Sequence, residues 1–158
     1  MASTSTNTLT KISGFIVLIL VLAACNRHKG FYKSDCDDNR TFKRIAYTHL
    51  IDSLRFYDKQ YVEVTGKYQQ GKDESALFND SMFVDHSNTK ALWVEFSPDC
   101  PLYLTGTRVG FFDYDYNNGK LTPVNNKTIT LHGVINCAYK GHLGAYSGAI
   151  EHISYVKL

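Results

Sequence analysis

The sequence predicts a small, mainly β barrel of five or six strands with one N-terminal amphipathic helix. Three observations carry that reading. Apolar and polar residues alternate along Tyr61–Tyr68 and again along Ile129–Cys137, the period of a half-buried strand. Glycines fall inside both runs, at Gly66 and Gly133, where a small barrel needs its strands to bend. Helical spacing is confined to Thr41–Tyr57, with Phe42, Ile45, Ala46, Leu50, Leu54 and Tyr57 close to an i, i+3, i+4 pattern and Thr41 or Asp38 placed to cap it.

Composition narrows the class further. The 158 residues are 44% hydrophobic and 20% charged, which excludes disordered, collagen-like and coiled-coil chains and suits one domain with a leader. With 17 Lys+Arg against 15 Asp+Glu, the chain lacks the lopsided basic footprint of a nucleic-acid binder. Lys67, Lys72, Lys90, Arg108, Lys120 and Lys127 are scattered among acids, so no basic groove is expected.

Residues 1–24 read as a processing segment. A largely polar stretch and one cation, Lys11, precede the apolar run Ile12–Val21, broken only by Ser13 and Gly14. That run is shorter than the ~20 residues a membrane-spanning helix needs. It ends in Leu22-Ala23-Ala24-Cys25, where small residues suit a peptidase cleft and the Cys25 thiol is available for acylation. The segment resembles a bacterial lipoprotein signal peptide with Leu22–Cys25 as its lipobox. The resemblance implies cleavage before Cys25 and a lipid-anchored chain in the cell envelope, on the cell membrane or outer membrane, facing the periplasm. An ordinary cleaved signal or an uncleaved anchor is the alternative. Residues 25–40 then read as a polar tether, and 41–158 as the helix plus barrel.

Along the barrel, the expected strands beyond Tyr61–Tyr68 are Ala76–Phe78, Met82–Val84, Leu92–Phe96, Val109–Phe112, Ile129–Cys137 and Gly148–Val156. The last breaks strict parity at Ile150 and Ile153, which places a bulge near Glu151. The stretch Tyr61-Val62-Glu63-Val64-Thr65-Gly66-Lys67-Tyr68 resembles the first strand of oligonucleotide/oligosaccharide-binding (OB-like) barrels. Ile129–Ile135, then Lys140-Gly141-His142-Leu143-Gly144-Ala145-Tyr146 and Ile150, is similar to uncharacterised OB-like lipoprotein domains of Bacteroidetes-type bacteria. Residues from about Asp99 to Val124 have no counterpart there. The fold implied hosts many functions, so the function must be argued from a site.

Candidate sites are few. Once Cys25 is acylated, Cys36, Cys100 and Cys137 remain. Cys100–Cys137 is the expected disulfide, with Cys36–Cys100 and three free thiols as alternatives. His132, His142 and His152 recur every ten residues, but no carboxylate falls at a matching spacing, so no metal site is assigned. In Asp113–Gly119 the sixth position of a calcium loop would be Asn118 and the twelfth Val124, so an Asn-Gly hairpin turn explains it better. Asn39-Arg40-Thr41, Asn79-Asp80-Ser81 and Asn126-Lys127-Thr128 match a glycosylation pattern that has no expected role in a bacterial lipoprotein.

Trp93, His142 and Tyr146 are the candidate ligand-binding residues. Trp93 lies on the outward parity of its strand with Tyr61, Tyr114, Tyr116 and Tyr146 as further stacking surfaces, and His142 sits between glycines where backbone can approach closely. No nucleophile elbow, His-Glu zinc motif or phosphate loop is present, and no cofactor is expected. The expected function is a non-enzymatic binding module at a membrane surface, for a small ligand or an envelope protein. A structural, assembly or inhibitory subunit of an envelope complex is the alternative.

Overall fold

The computed structural model describes residues 30–36, 39–83, 85–111 and 124–158. The expected lipobox through Cys25 and the expected turn over residues 113–119, with Tyr114 and Tyr116, lie outside the described residues. Eight strands are described: β1 Phe31–Ser34, β2 Lys43–Ile45, β3 Tyr61–Gly71, β4 Glu74–Phe78, β5 Leu92–Val94, β6 Leu102–Leu104, β7 Lys127–Asn136 and β8 Gly148–Lys157. One short helix, α1 (Tyr47–Asp52), is followed by a 3-10 turn at Leu54–Tyr57.

Five of these strands close into an OB-like barrel. β3 pairs antiparallel with β4, β4 with β5, β7 with β8 and β7 with β3. The ring is completed by a parallel pair, Leu92–Val94 of β5 against Gly148–Ile150 of β8. Closure removes the free edges that an open sheet of this size would expose.

Two long strands, β3 and β8, each change neighbour halfway along. β3 lies beside β2 at Val62–Val64 and beside β4 from Lys67 onward, and Gly66 stands between. A Cβ on Gly66 would come within 2.5 Å of the Phe78 carbonyl oxygen, so the crossing requires glycine. β8 pairs with β5 through Ile150 and with β1 from Tyr155, and a bulge separates the two halves. Residues His152–Ser154 there face the single residue Gly133, and His152 takes φ +50°. A Cβ on Gly133 would lie 2.7 Å from the Glu151 carbonyl oxygen. The expected bulge near Glu151 is thus a corner of the barrel.

The core alternates as the sequence does. Val62, Val64 and Tyr68 from β3, Leu77, Leu92 and Val94, Ile129, Leu131 and Ile135, and Ile150, Ile153 and Val156 are all buried in one cluster. Leu50 of α1, with Leu54 and Tyr57, joins that cluster. The Tyr47 hydroxyl donates to the Leu77 carbonyl oxygen at 2.5 Å. Burial raises this phenol well above the ordinary tyrosine range, so it stays a donor.

Several sequence expectations are corrected. The helix expected over Thr41–Tyr57 is cut to Tyr47–Asp52, because Lys43–Ile45 pairs in parallel with the edge of β3 that β4 does not reach. Backbone groups on that edge require partners, and this outweighs a weak helical pattern rich in aromatic and β-branched residues. The tether expected over 25–40 contributes β1, which lies between β8 and β6 with Tyr32 and Ser34 buried. Met82 and Phe83 form an exposed turn, and Val84 lies outside the described residues. Of the expected strand Val109–Phe112, Phe112 lies outside the described residues, and Gly110 forms an isolated bridge to Tyr103.

The disulfide is also corrected: Cys36 pairs with Cys100, and Cys137 is free. The β1–β6 ladder explains the choice. Ser34 faces Leu102 across it, so Cys36 and Cys100 fall opposite each other two positions further along the same register, with Cα atoms 5.6 Å apart. Cys137 follows β7 and donates its thiol hydrogen to the Leu54 carbonyl oxygen at 3.3 Å, beside the helical segment.

The glycine at the β3 crossing gives a direct check. Gly66→Ala is expected to destabilise by about 1–3 kcal/mol through overpacking against backbone. Gly71→Ala, where a Cβ would meet only the Glu74 side chain at 3.4 Å or more, is the matched control and should change stability by less than about 0.5 kcal/mol. Urea denaturation of both variants decides it, and equal effects would contradict the role given to Gly66.

Candidate functional site

The candidate site forms where β5 leaves the barrel. Alternation along β5 turns Leu92 and Val94 into the core and leaves Trp93 and Glu95 on the other face. The Glu95 amide still donates to the Ile150 carbonyl oxygen at 2.9 Å, extending the parallel pairing by one residue. The chain then departs through Phe96-Ser97-Pro98 toward Cys100 and β6. A cleft of about 600 Å³ opens between this departing segment and the barrel.

Aromatic rings dominate its walls. Tyr68, Trp93, Phe96, Tyr103 and Phe111 all line it. Phe96 packs against Phe111 with ring centroids 5.2 Å apart and edge-on to Tyr68 at 6.0 Å. Polar groups are few and fixed. The Ser75 hydroxyl donates to the Val94 carbonyl oxygen at 2.8 Å and lies 3.1 Å from the Tyr68 hydroxyl. Glu95 accepts from the Trp93 indole N–H at 2.6 Å and from the Tyr139 hydroxyl at 3.3 Å, both on Oε2. Burial, then the Glu95 charge, raises the Tyr139 phenol above its ordinary range, so it remains protonated and donates.

Of the three residues expected to bind ligand, Trp93 alone lines the cleft. Tyr146 sits behind it, buried with Ala76, Phe78 and Ala91 and 5.3 Å from the Trp93 ring. His142, expected to bind ligand, is exposed on the 3-10 turn His142–Gly144 and is not among the residues lining this cleft. The close backbone approach in that loop belongs to Gly141 (φ +64°), where a Cβ would fall 2.6 Å from the Trp93 indole. The glycine packs on the tryptophan and holds it. Of the other aromatics, Tyr61 lies under the Arg40 guanidinium at 4.4 Å and edge-on to Phe42, away from the cleft.

Sequence reasoning missed Tyr68, Ser75, Glu95, Phe96 and Phe111. Glu95 shares the parity of Trp93, which is the one signal that would have joined them. The others meet only because β6 and the disulfide bring residues 96–111 back against the barrel end.

The histidines do not converge. His132 stacks between Phe42 and Tyr155, each with centroids 4.4 Å away, and bonds through Nε2 to Glu63 Oε2 at 2.8 Å. His152 lies in the β8 bulge, and His142 lies on its own turn. Among the described residues, no group of three His, Cys, Asp or Glu side chains is placed to hold a metal ion. Burial, then the Asp58 charge, raises the Cys137 thiol, the reverse of what activates a nucleophile.

Glu63 carries a testable consequence. Burial would raise its pKa, but hydrogen bonds from His132 and from Arg44 (Nε to Oε1, 2.6 Å) outweigh that, and it lies below the usual carboxylate range. A lowered carboxylate adds stability above its unfolded pKa, about 4.3, and loses it as pH falls through the folded value. The stability difference between the protein and its Glu63→Gln variant should therefore shrink as pH is lowered from about 5 to 3. A difference independent of pH in urea titrations would contradict this.

Comparisons with known protein families, curated proteins and solved structures find no match to this chain.

Proposed function

We propose that this protein is a lipid-anchored, non-enzymatic binding module of the cell envelope that holds a small ligand in the aromatic cleft. The cleft is the observation that carries the reading. Its volume of about 600 Å³, its aromatic walls and its few fixed polar groups are the attributes of a small-molecule site, which typically spans ~300–1,000 Å³. It adjoins β4 and β5, the second and third strands of the barrel, whose face and adjoining loops commonly take ligands in OB folds. The β7–β8 connection, which carries Gly141, packs on the same tryptophan.

The anchor rests on Leu22-Ala23-Ala24-Cys25, and the Cys36–Cys100 disulfide supports an oxidising compartment. Six peptide steps separate Cys25 from Phe31, the first residue of β1. At ~3.3–3.6 Å per residue, acylated Cys25 would keep the barrel within about 20 Å of the bilayer. Two or three acyl chains, each contributing ~0.8 kcal/mol per buried CH₂, make such an anchor stable where one chain does not.

One observation favours the second reading, an assembly or inhibitory subunit. Met82 and Phe83 stand side by side in the β4–β5 loop, 85% and 94% exposed. An apolar pair of this kind suits a protein contact, although single exposed side chains are common.

Fractionation with intact-mass analysis tests the proposal. The native protein should sit in membranes with a mass that begins at acylated Cys25, and Cys25→Ser should move it to the soluble fraction. In a thermal-unfolding screen of small molecules, a hit should raise Tm and also perturb Trp93 fluorescence. An uncleaved chain, membrane retention of Cys25→Ser, or hits that leave Trp93 unaltered would contradict it. Loss of a protein partner on Met82→Ser/Phe83→Ser substitution would favour the second reading.

A further inference from the structure

We propose that the cleft selects an organic cation, an ammonium or guanidinium group carried on an apolar body. This assignment rests on the reading of the cleft as a ligand site. It follows from the charge arrangement. Among the described residues that line the cleft, Glu95 is the only charged one. Its two side-chain hydrogen bonds come from neutral donors, Trp93 and Tyr139, and both fall on Oε2. Among the described residues Oε1 accepts no hydrogen bond, and no Lys, Arg or His is paired with this carboxylate.

Two acids among the described residues illustrate pairing with cations, whereas half-buried Glu151, like Glu95, is bonded by a neutral donor, Asn136. Glu63 has Arg44 and His132, and Asp52 has Lys90. Glu95 is also half-buried, where a carboxylate without a countercharge is costly. An incoming cation would relieve that cost.

The walls agree with the sign. Aromatic rings attract cations through their quadrupoles, with Trp the strongest of them. Trp93, Phe96 and Tyr103 border a space to which the described lining residues bring one carboxylate and no cationic group. An anion entering it would meet repulsion from Glu95, which no described lining residue offsets. A cation gains from both the carboxylate and the rings, and an apolar body covers the ring surface that remains.

The chain contains a single tryptophan, so intrinsic Trp fluorescence reports this site alone. The full chain in nonionic detergent would be titrated with choline, with agmatine, and with 3,3-dimethylbutan-1-ol, the uncharged carbon isostere of choline. Ionic strength is held constant with sodium chloride. At least one of the two cations should give a saturable change, with the neutral alcohol weaker by about tenfold or more.

Glu95→Gln keeps an oxygen acceptor for Trp93 and Tyr139, so the variant should fold, and it should weaken the cation by about tenfold. Phe96→Leu removes a ring at similar apolar volume and should weaken it as well. Equal saturation by the neutral isostere, or Glu95→Gln binding the cation unchanged while folded, overturns the charge assignment and leaves the cleft as a binding site. Silence from all three probes overturns the cation proposal. The cleft reading then falls separately if the thermal-unfolding screen yields no hit that perturbs Trp93.

Discussion

The parallel pairing of β5 with β8 is the constraint on which the rest of the structure depends. The other contacts in the ring are antiparallel: β3–β4, β4–β5 and β7–β8 join strands that follow one another in the chain, and β3–β7 is the second long-range pair. The β5–β8 pair joins Leu92–Val94 to Gly148–Ile150 across more than fifty intervening residues and turns an open sheet, ordered β5-β4-β3-β7-β8, into a barrel. It also orients the site. Because Leu92 and Val94 must face the core to complete the ring, Trp93 and Glu95 must face out, side by side, at the point where the chain leaves the sheet.

Closure in so small a barrel forces its two longest strands to turn corners, and the two corners are built differently. β3 turns at a glycine of its own, Gly66, with the Phe78 carbonyl pressed against the vacant Cβ position. β8 turns by carrying extra residues at His152–Ser154, and the glycine that makes room, Gly133, belongs to the neighbouring strand. The freed lengths of edge are then covered by β2 and β1, so neither corner leaves an unpaired ladder. β6 extends the sheet beyond β1, and the Cys36–Cys100 disulfide fixes it there across a sequence separation of 64. Closing a loop of that length restricts the unfolded chain by about 4 kcal/mol in the chain-entropy estimate. The same bond shapes the cleft, since Cys100, Leu102 and Tyr103 line it together with Trp93.

How far the sequence disclosed this follows from the length of each element. β3 and β7 run for 11 and 10 residues, long enough for alternation to be unmistakable, and their internal glycines pointed to bending. The parity break between Ile150 and Ile153 disclosed the β8 bulge. β1, β2 and β6 run for only three or four residues, too short to show a period. They are strands because an edge of β3 or β8 awaits a partner, which is tertiary information. The disulfide was misread for the same reason: without β1 and β6, Cys36 and Cys100 had no shared register. At the site, Trp93 was visible as an outward aromatic, whereas Phe96 and Phe111 reach it through a fold-back that composition and spacing do not encode.

Native-state hydrogen exchange tests the closure claim most directly. If the β5–β8 pair closes the barrel, the amides of Leu92–Val94 and the Glu95 amide bonded to Ile150 should exchange only with global unfolding. Their opening free energy should then match that of the central amides of β3 and β7. Exchange of the β5 amides at a lower free energy, while β3 and β7 remain protected, would show a sheet that stays folded without closure and would contradict the account.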